Sequence, residues 1–301
     1  MANISLIART SLSLRLGIFG FSGAPGYEQN AELRDQRSAV EWVRDNIAGF
    51  GGDSKRVIIF GQSAGGVAVD YWPYSYESDP IVAGLISHSG TALSYLPNSP
   101  EYSQSLFYNV SGTIGCGGNT TDATTVATCS VSKARTLRRF SQLLARCLLF
   151  LFNQRAFTCP TKYANDFRVK YQVPTWRYRY MGDFDNLSLY ASWGAYTNSG
   201  ASHGAEFNML FGTAYDVTGA ANTLTEELTS RYIQGAWAAF GRSPSLGLNI
   251  YGWPSYDSNS PTLVRLCYKN QSIPSFVSPS LYDAACPPVA HNDLLPGRGA
   301  F

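Results

Sequence analysis

Ser63 lies at the centre of a G-x-S-x-G pentapeptide that runs from Gly61 to Gly65. The apolar residues Val57–Phe60 precede it and predict a strand, and Val67–Val69 can start a helix. A serine on a sharp strand-to-helix turn has an exposed hydroxyl that can attack a carbonyl carbon. The sequence therefore predicts a nucleophile elbow. A glycine-rich turn with an ordinary, non-catalytic serine would have the same sequence pattern.

The serine needs a base that can take its proton, and the chain offers three histidines. His88 follows the apolar segment Ile81–Ser87, and His291 lies in a proline-rich tail. His203 lies in a loop of small residues that comes after a tyrosine-rich segment. In α/β hydrolases the chain order is serine, acid, histidine, and His203 fits that order. By position alone, an ordinary surface histidine is an equally good interpretation of His203.

The segments around these residues alternate between strand and helix patterns. The predicted strands are Leu12–Phe21, Val57–Phe60, Ile81–Ser87 and Thr175–Met181, and the predicted helices are Ala31–Ile47, capped by Asn30, and Glu226–Phe240, stopped by Gly241. The segment Asn109–Ser132 is rich in Gly, Ser and Thr, which predicts a surface loop or a short helical excursion closed by a disulfide. Alternating strands and helices indicate an α/β fold with a parallel sheet covered by helices.

Composition narrows the class of protein and its compartment. The net charge is +2 over 301 residues, which argues against a nucleic-acid partner. The run Cys147–Phe152 comes closest to a transmembrane helix and is too short for one. Six cysteines and several N-x-[ST] sequons favour a secretory compartment, although Met1–Phe21 lacks the features of a signal peptide. The sequons are at Asn3, Asn109, Asn119, Asn186 and Asn270.

Several segments resemble the type-B carboxylesterase/lipase family, which includes the cholinesterases and related fungal lipases. Around the serine they are Arg15–Phe21, the motifs between Asn30 and Asp53, and Phe60–Gly66. Further along they are Phe157–Pro160, Pro174–Tyr178, Ser202–Glu206 and Phe211-Gly212. Their order and spacing are far more specific than the pentapeptide alone. The resemblance implies an α/β-hydrolase fold, in which a mostly parallel sheet is flanked by helices, and hydrolysis of carboxylic esters.

The resemblance also implies roles for individual residues. Ser63 is the implied nucleophile, and His203 is the implied base because it matches the histidine of the family's H-G-x-E motif. The backbone N–H of Ala64, the residue after the nucleophile, is an implied donor of the oxyanion hole. Glu206, the last residue of the H-G-x-E motif, is implied to be structural and is not assigned as the triad acid.

Structural pairings follow from the same resemblance. The implied pairs are the ions Arg15 and Asp35, the cysteines Cys116 and Cys129, and the cysteines Cys159 and Cys286. For the partner of Cys159, the resemblance asks for a cysteine near the C-terminus, and Cys286 is the better candidate. Cys147 and Cys267 are then left over. Free buried thiols are the alternative for all six cysteines.

Two functional parts of the family pattern are missing from this chain. The family's His-Gly-Gly oxyanion loop comes before the segment that starts at Arg15, and no His-Gly-Gly precedes Arg15 here. The family's triad acid comes before Phe157–Pro160, yet Ser130–Arg155 contains no Asp or Glu. The triad acid is therefore unknown. The carboxylates left to consider are Asp166, Asp183, Asp185 and Asp216, and no spacing favours any of them.

These departures predict an incomplete α/β-hydrolase fold that misses its N-terminal strands and an internal acid-bearing segment. Losing one oxyanion donor removes roughly 3–4 kcal/mol of transition-state stabilisation. Losing the acid lowers the rate on the order of 10⁴-fold, so we expect weak or no activity from the chain as given. Residues 131–156 change abruptly from basic to apolar, as the product of a mis-joined gene would. Exposed strand edges could also prevent stable folding.

We therefore predict a single domain over residues 1–301, with the elbow in an N-terminal half (1–130), an anomalous junction (131–156) and His203 in a C-terminal half (157–301). The predicted function is a secreted serine carboxylesterase that forms an acyl-enzyme from a small-molecule ester or lipid. We expect no cofactor, metal, nucleic acid or transmembrane segment. The alternative is a non-catalytic, extracellular, cholinesterase-like binding module. The missing parts favour that alternative, whereas the intact Ser63 and His203 disfavour it.

Overall fold

A computed structural model of the chain describes residues 11, 15, 17–95, 98–134, 154–187 and 200–288. The chain divides into two compact units. The first unit comprises Met1–Ile7, Lys55–Tyr95 and Phe150–Pro287, and the second unit comprises Ala8–Ser54, Leu96–Leu149 and Pro288–Phe301. The single domain over residues 1–301 stays a prediction. Within the described ranges, no helix is long and apolar enough to cross a membrane.

The secondary structure alternates between helices and short strands along the chain. The helices are α1 (Ala31–Asn46), α2 (Ala64–Ser75), α3 (Pro100–Thr113), α4 (Ala123–Ala134), α5 (Cys159–Lys170), α6 (Glu206–Phe211), α7 (Ala214–Thr218), α8 (Leu224–Arg242), α9 (Gly247–Ile250) and α10 (Ser280–Asp283). The strands are β1 (Ile58–Gln62), β2 (Gly84–His88), β3 (Arg177–Tyr180), β4 (Leu263–Leu266) and β5 (Ser275–Val277). Short 3₁₀ turns span Gly17–Phe19, Ile47–Phe50, Ser54–Arg56, Asp185–Leu187 and Tyr268–Asn270, and a π-helical turn spans Gln154–Thr158.

The first unit begins with a β–α–β crossover. Strands β1 and β2 pair in parallel, with Ile58 opposite Gly84 and Gln62 opposite His88. Parallel neighbours need a crossover connection, and α2 supplies it by packing on both strands. The carboxyl ends of both strands therefore lie at the same edge, where Gln62 leads into Ser63.

A second sheet in the first unit has the order β3-β4-β5. Strand β4 pairs in parallel with β3, where Arg177 faces Leu263, and antiparallel with β5, where Leu263 faces Val277. Along β4 the even-numbered side chains Val264 and Leu266 join the main core, which also contains Ile233 and Ala236 of α8. Ile233 and Ala236 are each 1% exposed or less, so α8 is the principal helix covering this core.

The second unit contains α1, α3 and α4. Arg15 and Asp35 form an ion pair, with 2.6 Å between Arg15 Nη2 and Asp35 Oδ1. A disulfide joins Cys116, after α3, to Cys129 on α4. A small core brings together Ala24, Phe107, Val126 and Ala127. The second unit is therefore held by an ion pair, a disulfide and a modest apolar cluster.

Most element predictions are confirmed to within a few residues. The predicted helix Ala31–Ile47 is α1, and Glu226–Phe240 lies inside α8. The strand predicted over Leu12–Phe21 is wrong at Gly17–Phe19, which forms a 3₁₀ turn. Gly17 has a φ of +58°, and its carbonyl accepts hydrogen bonds from the N–H groups of Gly20 and Phe21, which closes the turn.

Two further predictions need correction, and one alternative is confirmed. Asn30 does not cap α1 through its side chain, because its φ of +58° and ψ of 39° put it in the left-handed region. In the segment Asn109–Ser132 the helical alternative is confirmed, since α3 continues to Thr113, α4 follows and a disulfide joins Cys116 to Cys129. Asp122 starts α4 by accepting hydrogen bonds from the backbone N–H and hydroxyl of Thr125. Helix α8 passes through Gly241 and ends one residue later.

Candidate active site

Ser63 occupies a strained turn between β1 and α2. Its φ of 57° and ψ of −119° lie outside the regions that residues with a side chain normally adopt. Such backbone strain costs about 1–3 kcal/mol and persists only where neighbouring structure imposes it. A Cβ on Gly61 would lie 2.4 Å from the Gly65 carbonyl oxygen, and a Cβ on Gly90 would lie 2.4 Å from the Ser63 carbonyl oxygen. The turn therefore needs glycine at both positions.

Hydrogen bonds fix the turn from both sides. The Ser63 N–H donates to the His88 carbonyl oxygen at 2.8 Å, which ties the turn to the end of β2. The Ser63 carbonyl oxygen accepts from the Val67 N–H at 3.0 Å, which joins the turn to α2. Ala64 is the first residue of α2. N–H groups in the first turn of a helix have no intrahelical acceptor and lie at the positive end of the helix dipole.

A buried carboxylate anchors the helix behind the serine. Asp70 of α2 exposes 1% of its surface. Its Oδ2 accepts a hydrogen bond from the Ala92 N–H at 2.7 Å, and its Oδ1 forms an ion pair with Arg168 of α5. Helix α2 is thereby connected both to the segment after β2 and to α5. The sequence reading did not identify Asp70, whose residue type inside an apolar helix was the available signal.

His203 lies in the loop before α6 and is exposed. Its imidazole ring packs against Phe157 of the π-helical turn, with 5.2 Å between the ring centroids. The next residue, Gly204, has a φ of +88° and lies beside Gln62, since a Cβ built on Gly204 would be 3.5 Å from the Gln62 Nε2. Because Gln62 immediately precedes Ser63, the structure brings the His203 loop next to the Ser63 turn.

No carboxylate is found to hydrogen-bond His203 among the residues that the structure describes. Asp166 binds elsewhere, through Lys162 at 2.6 Å and the Tyr256 hydroxyl at 3.0 Å. Asp183 Oδ2 accepts from the Gly200 N–H at 3.2 Å and so contacts the start of the His203 loop through its backbone. The identity of the triad acid stays open.

A buried polar cluster surrounds His88. Its side chain has no exposed surface, and Glu206 exposes only 7% of its side chain. The His88 Nδ1 lies 3.2 Å from the Glu206 Oε1 and 2.7 Å from the Tyr178 hydroxyl oxygen. The Trp237 Nε1–H donates to the His88 Nε2 at 3.3 Å. We call these four residues the His88 cluster.

The electrostatics of the His88 cluster keep Tyr178 uncharged. Burial raises the pKa of the Tyr178 hydroxyl well above its ordinary value, and the nearby Glu206 carboxylate raises it further. Tyr178 therefore remains a neutral hydroxyl that can both donate and accept a hydrogen bond. The sequence reading named His88 as one of three histidines and Glu206 as structural, but it did not predict their contact.

A disulfide and a buried ion pair lie near Phe157, the residue whose ring packs against His203. Cys159, two residues after Phe157, is disulfide-bonded to Cys286. Arg177 of β3 makes two hydrogen bonds to the Asp283 carboxylate, at 2.6 and 2.8 Å, and both side chains are buried. The ion pair joins β3 to α10, and the disulfide joins the start of α5 to the segment after α10. The disulfide is the pairing that the family resemblance implies.

One further cysteine lies in the part of the chain that the structure describes, and two other candidate residues lie outside it. Cys267 is a free, buried thiol that donates to the Thr229 hydroxyl oxygen at 3.3 Å, and burial raises the pKa of this thiol. His291 and Cys147 lie outside the described residues, as does most of the interval from 130 to 155 in which the family has its acid. The lack of Asp and Glu in that interval is therefore known from the sequence alone.

Comparison with known proteins finds similarity to esterases and lipases. The model of the carboxylesterase family matches residues 7–143, a stretch that includes the Ser63 turn. The chain is 28% identical over 323 aligned residues to a chlorogenic acid esterase from Aspergillus niger, covering 84% of this chain and 61% of that protein. It is 29% identical to secreted lipase 5 from Gibberella zeae, covering 89% of this chain and 63% of the relative. The chain thus spans about three fifths of the length of these relatives.

Comparison with solved structures gives the fold. The structure of a PNB esterase superposes with a TM-score of 0.68 and 18% sequence identity, covering 92% of this chain and 72% of that one. The likeness shows an α/β-hydrolase fold, which agrees with the β1–α2–β2 crossover and the strained serine at its edge. The chain is therefore similar to the carboxylesterase family in the sequence of residues 7–143 and has an α/β-hydrolase fold.

Proposed function

We propose that the chain is a serine carboxylesterase that hydrolyses a small-molecule ester or lipid through an acyl-enzyme. The observation that carries this proposal is the backbone of Ser63, whose strained φ of 57° and ψ of −119° put its side chain at the strand-to-helix turn. The relatives named as esterase and lipase support the reaction class. The relative named as a secreted lipase and the two disulfides support secretion.

The proposed reaction begins with attack of the Ser63 Oγ on the ester carbonyl carbon. His203 takes the hydroxyl proton, and the carbonyl oxygen becomes an oxyanion that accepts a hydrogen bond from the Ala64 N–H. Collapse of the tetrahedral intermediate breaks the bond to the alcohol oxygen, which leaves with the proton from His203. Water then attacks the acyl-serine by the same route and releases the acid.

The exposure of His203 suits this role. A base that exchanges protons with substrate, leaving alcohol and water must be accessible from the substrate side. One side of the imidazole ring packs against Phe157. Among the described residues no carboxylate orients the ring, so we expect a turnover lower than that of an enzyme with a complete triad.

A fluorophosphonate probe tests the proposal directly. The probe labels an activated serine covalently, so mass spectrometry of the labelled protein should find the adduct on Ser63, and the Ser63→Ala variant should remain unlabelled. Hydrolysis of a p-nitrophenyl ester should disappear in the same variant. A folded wild-type protein that neither takes the label nor hydrolyses the ester would refute the proposed function and favour the binding-module alternative.

A further inference from the structure

His88 contacts the two halves of the proposed site in two different ways. Its backbone carbonyl accepts a hydrogen bond from the Ser63 N–H at 2.8 Å. Its side chain lies 3.2 Å from the Glu206 carboxylate, and Glu206 follows His203 by three residues. One residue at the end of β2 is therefore linked both to the nucleophile turn and to the loop that carries the base.

The neighbours of His88 determine which ring nitrogen carries the proton. An indole N–H can only donate, so the contact from Trp237 makes the His88 Nε2 an acceptor. A neutral imidazole has one donor and one acceptor, which assigns the proton to Nδ1. The Nδ1–H then faces the Glu206 Oε1 and the Tyr178 hydroxyl oxygen, both of which can accept it. A doubly protonated ring would place two donors against each other at Nε2.

The loop that carries His203 is held at two points. At one end, Glu206 is fixed in the buried cluster. In the middle, Gly204 packs against the Gln62 side chain, which belongs to the end of β1. A hydrogen bond to a buried carboxylate is stronger than one between neutral groups, and leaving that carboxylate unpaired costs more still. The contact with His88 therefore gives the loop a defined position.

We propose that His88 and Glu206 are positioning residues that hold the His203 loop beside the Ser63 turn, with His88 neutral and protonated at Nδ1. Both side chains are buried, so this role requires no contact with the substrate. The contact between them fixes the distance between two chain segments that approach each other only in the folded state, since they are 118 residues apart in sequence. The proposal rests on the proposed esterase activity for its kinetic consequence, whereas its geometric consequence is independent of activity.

The chain offers a matched pair of buried carboxylates for the test. Glu206→Gln removes the charge that faces His88. Glu226→Gln removes an equally buried charge from the capping box of α8, where Glu226 Oε2 accepts from the backbone N–H and hydroxyl of Thr223. Both variants should lose stability, but only Glu206→Gln should change the geometry between the serine and the histidine. A misplacement of about 1 Å lowers the rate on the order of 10²-fold.

The kinetic arm compares kcat and KM in the two variants. We expect Glu206→Gln to lower kcat on the order of 10²-fold with little change in KM, because the loop position affects the chemical step. Glu226→Gln should retain the wild-type kcat at temperatures below its unfolding transition. Equal losses of kcat in both variants, or none in Glu206→Gln, would overturn the positioning role in an active protein.

The geometric arm uses hydrogen exchange and does not need activity. In Glu206→Gln, the amides of residues 61–66 and 200–206 should exchange faster than in wild type, whereas Glu226→Gln should affect the start of α8 instead. If the wild-type protein proves inactive, the proposed function fails but this arm still decides the inference. Unchanged exchange at 61–66 and 200–206 would refute it.

Two further measurements complete the test. The ¹⁵N spectrum of the His88 imidazole in the wild type should show a protonated Nδ1 and an unprotonated Nε2, and the reverse assignment would refute the proposed tautomer. If Glu206→Gln does not fold, Tyr178→Phe takes its place, since it removes only the hydroxyl that lies 2.7 Å from Nδ1. We expect Tyr178→Phe to accelerate exchange in the same two segments, and no acceleration would count against the proposal.

Discussion

The two histidines in the described part of the chain occupy opposite environments. His88 has no exposed side-chain surface and contacts Glu206, Tyr178 and Trp237 through its ring nitrogens. His203 is exposed, and its ring contacts Phe157. The same residue type thus lies in two contrasting environments in one molecule. The roles proposed above follow this contrast, with the buried histidine positioning a loop and the exposed one acting as the base.

The comparison predicts the largest effect for His203→Ala. Loss of the base should lower ester hydrolysis by on the order of 10⁴-fold or more and abolish labelling of Ser63. Because the His203 side chain is exposed, the thermal midpoint should hardly move. Kinetics and a thermal melt of the same preparation check the loss of activity and the unchanged thermal midpoint. Activity retained in this variant would show that His203 is not the base.

The second-largest effect is expected at the Cys159–Cys286 disulfide, which lies near Phe157, the residue that packs on His203. Replacing Cys159 and Cys286 by serine opens a loop with a sequence separation of 127, and replacing Cys116 and Cys129 opens one of 13. Loop entropy predicts losses of about 5 and about 3 kcal/mol of unfolding free energy, respectively. Urea denaturation of the two double variants measures this difference. The opposite order would show that strain or residual structure outweighs loop entropy.

His88→Ala should destabilise the protein without resembling His203→Ala. It leaves the Glu206 carboxylate and the Trp237 N–H buried without their partner, which costs about 2–4 kcal/mol. The unfolding free energy from urea denaturation should fall by that amount, and with it the population of folded protein at elevated temperature. A His88→Ala variant as stable as His203→Ala would remove the distinction between the two histidines.

The smallest effect concerns a buried carboxylate that lacks an imidazole partner. Burial raises the pKa of Glu32 in α1, while a hydrogen bond from Gln36 opposes that shift. A carboxyl with a raised pKa stabilises the fold when protonated, and this stability is lost as pH rises through the folded-state pKa. Glu32→Gln should therefore stabilise the protein slightly at neutral pH and give no gain in acid. Thermal melts at both pH values test this, and a gain that is independent of pH would refute it.

Sequence could predict the strand-turn-helix around Ser63 and the resemblance to the family because their signal is local. A glycine-flanked serine between an apolar strand and a helix is visible within a few residues, and the cysteine pairings follow from the family resemblance. The strand expected over Leu12–Phe21 failed because a positive φ at Gly17 is invisible in an apolar pattern. Local patterns therefore predicted β1, β2, β3, α1 and α8, and they failed where a single backbone angle decided the outcome.

The His88 cluster could not be predicted because its contacts are distant in sequence. His88 meets Tyr178, Glu206 and Trp237 across separations of 90, 118 and 149 residues. Neither periodicity nor composition reports which buried polar groups will find each other over such distances. The only local sign was a histidine at the end of an apolar strand, where a hydrocarbon side chain would be the ordinary choice.

The backbone bond from Ser63 to His88 has a consequence for the order of events on the ribosome. Chain synthesis delivers β1, α2 and β2 within a single stretch, so the serine turn can close soon after residue 90 leaves the exit tunnel. The side chain of His88 must wait for Trp237, which is made 149 residues later. Contacts of such long range form late. A nascent chain can therefore close the Ser63 turn well before the contacts of the His88 side chain are complete.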